Sequence, residues 1–184
     1  MVRDLKTHEN SADLTLDATR EYIWSLLPAQ AKSICQWDVF TEVECEEVLD
    51  WINSLDSDQN QNLDAFRACL LVFSVTDGRI IPRQFQLKAG LTAFWGKHSI
   101  VNAGTGSGKT LSMAIPLLMD PQAVAIIISP LKRLQVAQAK ELERLLIKPL
   151  VINQDTELAP LQIKVPHIVS RLCGLPRVSR PLRA

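Results

Sequence analysis

Apolar positions recur with a helical period in three stretches of the first eighty residues. Ile23, Leu26 and Leu27 share one face; Val48, Trp51, Ile52 and Leu55 recur at i, i+3, i+4 and i+7; Leu63, Phe66, Leu70 and Phe73 continue in the same way. The last two stretches are joined by a polar connection over 54–62, with Asn62 or Asp64 available as a helix cap. Residues 1–17 are polar without a sustained period and read as a mobile terminus. Thr76-Asp77-Gly78 reads as the turn that closes this helical region, 18–78. The next helix is predicted over 84–95, with Phe85, Ala89 and Leu91 or Phe94 available for burial and Gly96 in the C-cap position.

Beyond residue 97 the pattern alternates between short apolar runs and helices. Residues 98–103 read as a short strand feeding a helix over 110–119. Residues 123–129 are a β-branched run bounded by Pro121 and Pro130, the pattern of a strand buried on both faces of a parallel sheet. Ser129-Pro130-Leu131 then opens a helix with the apolar stripe Leu131, Leu134, Leu142 and Leu145, and 149–153 read as a third strand. The expectation is an α/β fold, a partial parallel sheet with flanking helices preceded by a small α-helical region. Its segments are a terminus (1–17), a helical appendage (18–78), the sheet-forming part (79–158) and a basic tail (159–184).

Charge sharpens that division. The chain of 184 residues carries 20 acidic and 20 basic side chains, yet residues 1–80 hold 15 acidic and 6 basic groups and residues 81–184 hold 5 and 14. The basic half is the natural place for polyanions, although the two halves could equally neutralise each other across an interface. Glu42, Glu44, Glu46, Glu47 and Asp50 are expected on a solvated helix face, with a docking surface for a protein partner as the alternative. No apolar run approaches a membrane span and no apolar leader opens the chain, so a soluble intracellular protein is expected. Cys35, Cys45, Cys69 and Cys173 lack metal-ligand spacing and read as reduced packing residues.

The candidate chemistry lies in Ala103-Gly104-Thr105-Gly106-Ser107-Gly108-Lys109-Thr110. Glycine lets the backbone curl so that several N–H groups converge on one concavity, which suits a chain of phosphates. Lys109 can reach the terminal phosphates, Thr110 can ligate magnesium, and the following helix adds its positive end. The bland alternative is a flexible glycine turn between two core elements.

The surroundings of this loop resemble RecQ-type DNA helicases, members of the superfamily-two group that includes the DEAD-box proteins. Arg83, Gln86 and Ala89 form an R-x-x-Q-x-x-A arrangement 23 residues ahead of Lys109, measured from Gln86. The loop has that group's A-x-T-G-x-G-K-T form, with Ala103 where the generic fingerprint has glycine, and Pro116 stands where the family's helix carries a proline. The segment "SPLKRLQVAQ" is similar to the family's second signature, and the likeness extends over about 80–158. It implies a RecA-like lobe that binds ATP and Mg2+ through Thr105, Gly106, Ser107, Gly108, Lys109 and Thr110. Lys109 and Thr110 would be the catalytic pair and Thr110 the magnesium ligand. Gln86 would read the adenine edge by donating and accepting, and Arg83 would stack on the ring. Ser129, Lys132, Arg133 and Gln138 would contact DNA, and a nuclear location would follow in a eukaryote.

The family's Asp-Glu-x-His motif does not occur, and the acids after the loop are Asp120, Glu141, Glu143, Asp155 and Glu157. Hydrolysis needs a strand-end carboxylate and a transition-state arginine from a second lobe, so nucleotide binding without strand separation is expected. The tail from 160 has five basic side chains, four prolines and no acid, and reads as an aberrant or unspliced end rather than a nucleic-acid arm. Two other classes stay open: a different P-loop enzyme such as a small kinase, and a non-catalytic interaction protein working through its N-terminal helices.

Overall fold

The computed structural model describes residues 16–40, 46–55 and 60–153. Most of the expected terminus (1–17), the acids Glu42 and Glu44 and the whole tail (159–184) lie outside them. The chain divides into two compact units, Met1–Leu150 and Val151–Ala184, and only three residues of the second are among those described.

Within the first unit the order is α1 (Leu16–Ser25), α2 (Pro28–Ile34), a π-helical turn (Cys35–Val39), α3 (Glu46–Asn53), α4 (Gln61–Val75), α5 (Gln84–Phe94), α6 (Lys109–Met119) and α7 (Lys132–Arg144). α4 is the centre, with Leu63, Ala65, Phe66, Ala68, Cys69, Leu70, Leu71 and Val72 all buried. A helix apolar on most of its circumference must be covered on most sides. Around α4 pack α1, α2, the π-helical turn, α3, α5 and α6. Polar groups tie the layers: Trp95 Nε1 on the α5 side donates to Asp64 Oδ2 of α4 at 3.0 Å. Arg67 of α4 donates to Trp24 O at 3.0 Å and stands over the Trp24 ring.

α5 and α6 share the most extensive helix–helix packing. Gly90 is the reason: a Cβ there would lie 2.7 Å from Ile115 Cβ, so only glycine allows this approach. α5 ends as its sequence predicts. Gly96 adopts φ 73°, its N–H donates to Ala93 O, and Lys97 N–H donates to Thr92 O, which satisfies two carbonyls of the last turn. α4 ends in the same motif on Asp77 (φ 52°), and α7 ends on Leu146 (φ 60°).

The expected parallel sheet is not formed, because no strand occurs among the described residues. The runs 98–103 and 123–129 carry no backbone hydrogen bond to each other, and 149–153 is likewise without strand structure. The physical reason is visible in their burial. A parallel ladder persists when neighbouring strands satisfy its backbone and helices cover both faces. Here Ile100 is fully exposed, Ile128 is 91% exposed, and Val124 and Ile126 also face outward, while Ile127 packs against the core. Among the described residues the architecture is therefore helical, with irregular connections where strands were expected. The α7 stripe also differs from expectation: Leu142 and Leu145 are buried, but Leu131 and Leu134 are exposed, because α7 packs on α6 through its C-terminal half.

Candidate nucleotide loop and basic helix

The glycine loop leads directly into the first turn of α6. Gly106 and Gly108 both take φ 78°, a left-handed conformation that side-chain-bearing residues adopt at a cost, and Gly108 is the N-cap of α6. Leu111 N–H donates to Gly108 O at 3.0 Å, closing the first helical turn. A Cβ placed on Gly104 or Gly106 would meet nothing within 4 Å, so the loop's outer side is open space. Lys109 Nζ bends back over it and donates to Ala103 O at 2.7 Å and Gly104 O at 2.8 Å. Thr110, in the first turn of α6, is half-buried, and Thr105 is exposed.

Gln86 braces this loop from α5. It is 5% exposed. Its Nε2 donates to Ser107 O at 3.1 Å and to Gly108 O at 3.0 Å, and its Oε1 accepts from Arg83 N–H at 2.8 Å. A Cβ on Gly108 would lie 2.6 Å from that Nε2, so glycine is required both for the turn and for the brace. Both amide hydrogens of Gln86 are thus engaged within the chain, and one lone pair of Oε1 remains. Arg83, the N-cap of α5, is exposed.

A second group opens α7. Lys132 and Arg133 are exposed in its first turn, Gln138 is half-buried farther along, and Ser129 precedes the helix. Gln135 Nε2 donates to Ser129 O at 2.8 Å, while Ser129 Oγ and Gln135 Oε1 are buried without partners. The structure therefore bonds Gln86 to Ser107 and Gly108 and Lys109 to Ala103 and Gly104, and gathers Ser129, Lys132 and Arg133 at one helix end.

The groups present are of the types a polyphosphate uses: two left-handed glycines with open space outside them, an ammonium, a hydroxyl and the positive end of α6. For magnesium the residues offer Thr110, and no cluster of three His, Cys, Asp or Glu side chains occurs among the described residues. No described helix is long and apolar enough to cross a membrane. Gly90, Gln135 and Arg20 were missed in the sequence. Arg20 is buried on α1 with its guanidinium on the C-terminal carbonyls of α6, and its signal was its place three residues before Ile23 on the same face.

Residues 83–171, just under half of the chain, match the family model described as DEAD/DEAH box helicase. The match begins at Arg83 and continues past Leu158, where the likeness read from the sequence ended, to Arg171. It supports a superfamily-two helicase segment that contains the whole loop and α5 to α7. No curated protein and no solved structure matches the chain.

Proposed function

We propose, from the DEAD/DEAH-box likeness of residues 83–171, that this segment binds ATP with Mg2+ and contacts nucleic acid, as part of a RecQ-like DNA helicase lobe. The observation that carries the reading is the loop's construction: two left-handed glycines, an open outer side and Lys109 at the start of α6. The amides of Thr105, Gly106, Ser107 and Gly108 would cradle the phosphates, Lys109 would leave the carbonyls of Ala103 and Gly104 for the terminal phosphates, and Thr110 would ligate magnesium.

Base recognition is narrower than the sequence implied. With both hydrogens of Gln86 Nε2 held by the loop, Gln86 can offer one acceptor lone pair, which suits the adenine amine and disfavours the guanine carbonyl. Arg83, exposed beside it, is free to stack on the ring. Ser129, Lys132, Arg133 and Gln138 supply the nucleic-acid contacts, with DNA as the proposed strand.

Turnover is a separate matter. No Asp-Glu-x-His motif occurs in these residues, and losing one transition-state arginine alone costs on the order of 10³ in phosphoryl transfer. Residues 1–184 are therefore proposed to bind nucleotide without unwinding a duplex themselves. The test is a titration of a fluorescent ATP analogue with Mg2+ into wild type and Lys109→Ala, with GTP as competitor. Weakening by at least about tenfold in the variant, equivalent to about 1.4 kcal/mol, is expected, with ATP competing better than GTP. Superimposable curves for the two proteins would refute the reading.

A further inference from the structure

The far end of the loop's helix is held by a residue 98 positions earlier in the sequence. Arg20 of α1 has a side chain only 9% exposed. Its Nε donates to Leu118 O at 2.7 Å, its Nη2 to Leu117 O at 3.4 Å and its Nη1 to Asp17 Oδ1 at 2.6 Å. The last carbonyls of a helix have no donor within it, and here Asp120 N–H takes Pro116 O while Arg20 takes the next two. The guanidinium also meets the negative end of the α6 dipole. The other end of α6 is the loop itself, since Gly108 is its N-cap and Lys109 its first residue.

An 11-residue helix is a rod about 16 Å long, and packed helices shift as units rather than stretch. The axial position of α6 is therefore set at three places: Arg20 at its C-terminus, Gly90 against Ile115 at its flank, and Gln86 on Ser107 and Gly108 at its N-terminus. We propose that Arg20 is a positioning residue for the nucleotide loop, acting through α6, so that the N-terminal helical layer and the loop form one coupled unit. This rests on the nucleotide-binding reading above and extends it to a region in which the sequence offers no chemistry. Coupling is reciprocal: if α1 fixes the loop for nucleotide, nucleotide fixes α1.

The test uses the full chain with Mg2+ and a non-hydrolysable ATP analogue, at a temperature where thermal melts show every variant folded. Arg20→Ala should weaken binding roughly 5- to 150-fold, the usual range for coupled sites. Arg20→Lys, which can still donate to one carbonyl, should recover most of that loss. Asp17→Ala should stay within about twofold, because Asp17 is 83% exposed and touches no α6 carbonyl. Amide exchange across Leu16–Ser25 should slow in wild type when the analogue binds, and this response should vanish in Arg20→Ala.

Wild-type affinity in a folded Arg20→Ala, or α1 exchange indifferent to the analogue in wild type, would overturn the proposal. If Arg20→Ala does not fold, the wild-type exchange response and the Arg20→Lys affinity decide it. A wild-type chain that binds no analogue brings down the nucleotide reading and this proposal together. A wild type that binds, with Arg20 variants that bind equally, removes this proposal alone.

Discussion

Replacing Gly90 with alanine sets two effects of known size against each other. Gly90 lies inside α5, where alanine is favoured over glycine by about 1 kcal/mol on helix propensity. The added Cβ, however, would stand 2.7 Å from Ile115 Cβ, 2.9 Å from Ile115 Cγ2 and 3.1 Å from Ser112 O. Carbon atoms pack comfortably at about 3.5–4.0 Å. The nearest atom is a Cβ fixed to the α6 backbone, so no rotamer change relieves the clash, and the helices must part by about 1 Å. Overpacking of this kind costs typically about 1–3 kcal/mol, which cancels or exceeds the propensity gain.

Parting α5 from α6 would also stretch the Gln86 bonds to Ser107 and Gly108, now 3.1 and 3.0 Å, past hydrogen-bonding distance. The expected outcome is a net loss of up to about 2 kcal/mol in urea unfolding, together with weaker binding of an ATP analogue. Adding Ile115→Ala should not restore stability, because the Ile115 Cβ position remains. A Gly90→Ala protein more stable than wild type by about 1 kcal/mol, the bare propensity gain, would refute the packing of α5 on α6.

Leu146 is a non-glycine residue at φ 60° in the turn that ends α7, and it is half exposed. A left-handed leucine costs roughly 1–2 kcal/mol, so Leu146→Gly should raise stability by about 0.5–1 kcal/mol after the lost apolar contact and the entropy of glycine are offset; a lower urea midpoint would contradict this. Cys35 is a source of alkaline pH dependence. Burial pushes the Cys35 thiol well above its ordinary value, with Cys69 and Asp38 adding to the shift. A folded state that holds this proton more tightly than the unfolded chain is fully stabilised below the ordinary thiol value of about 8.5 and loses that stability as pH rises above it. Cys35→Ser, whose hydroxyl can still donate toward Phe66 O, should therefore show a shallower alkaline loss in thermal melts between about pH 8.5 and 10.5; parallel profiles for the two proteins would count against the assignment.

The helices were legible in the sequence because their information is local. Periodic Leu63, Phe66 and Leu70 mark α4, and Gly96 marks the end of α5 where it adopts φ 73°. The loop was legible for the same reason, since Gly106, Gly108 and Lys109 carry their requirement in their own backbone and side-chain chemistry. The sheet was misread because β-branched runs state a strand's composition but not its neighbours. Val124, Ile126 and Ile128 have the right residue types, yet their side chains are left exposed and no ladder bonds them. Long-range contacts were not legible: the Arg20 bond to Leu118 spans 98 residues, and Gln86, which the sequence singles out for the adenine edge, spends its amide hydrogens on Ser107 O and Gly108 O. An arginine in an amphipathic helix is usually solvated, and only packing reveals that this one faces a helix end.

If the turn from Gly104 to Thr110 cradles phosphates, as proposed, its amide resonances will report on it directly. Adding Mg2+ and an ATP analogue to the labelled chain should shift and protect the N–H groups of Gly104, Gly106, Gly108, Lys109 and Thr110, with adenosine alone leaving them unmoved. Unchanged resonances across that turn at saturating analogue, with the helices intact, would contradict the account.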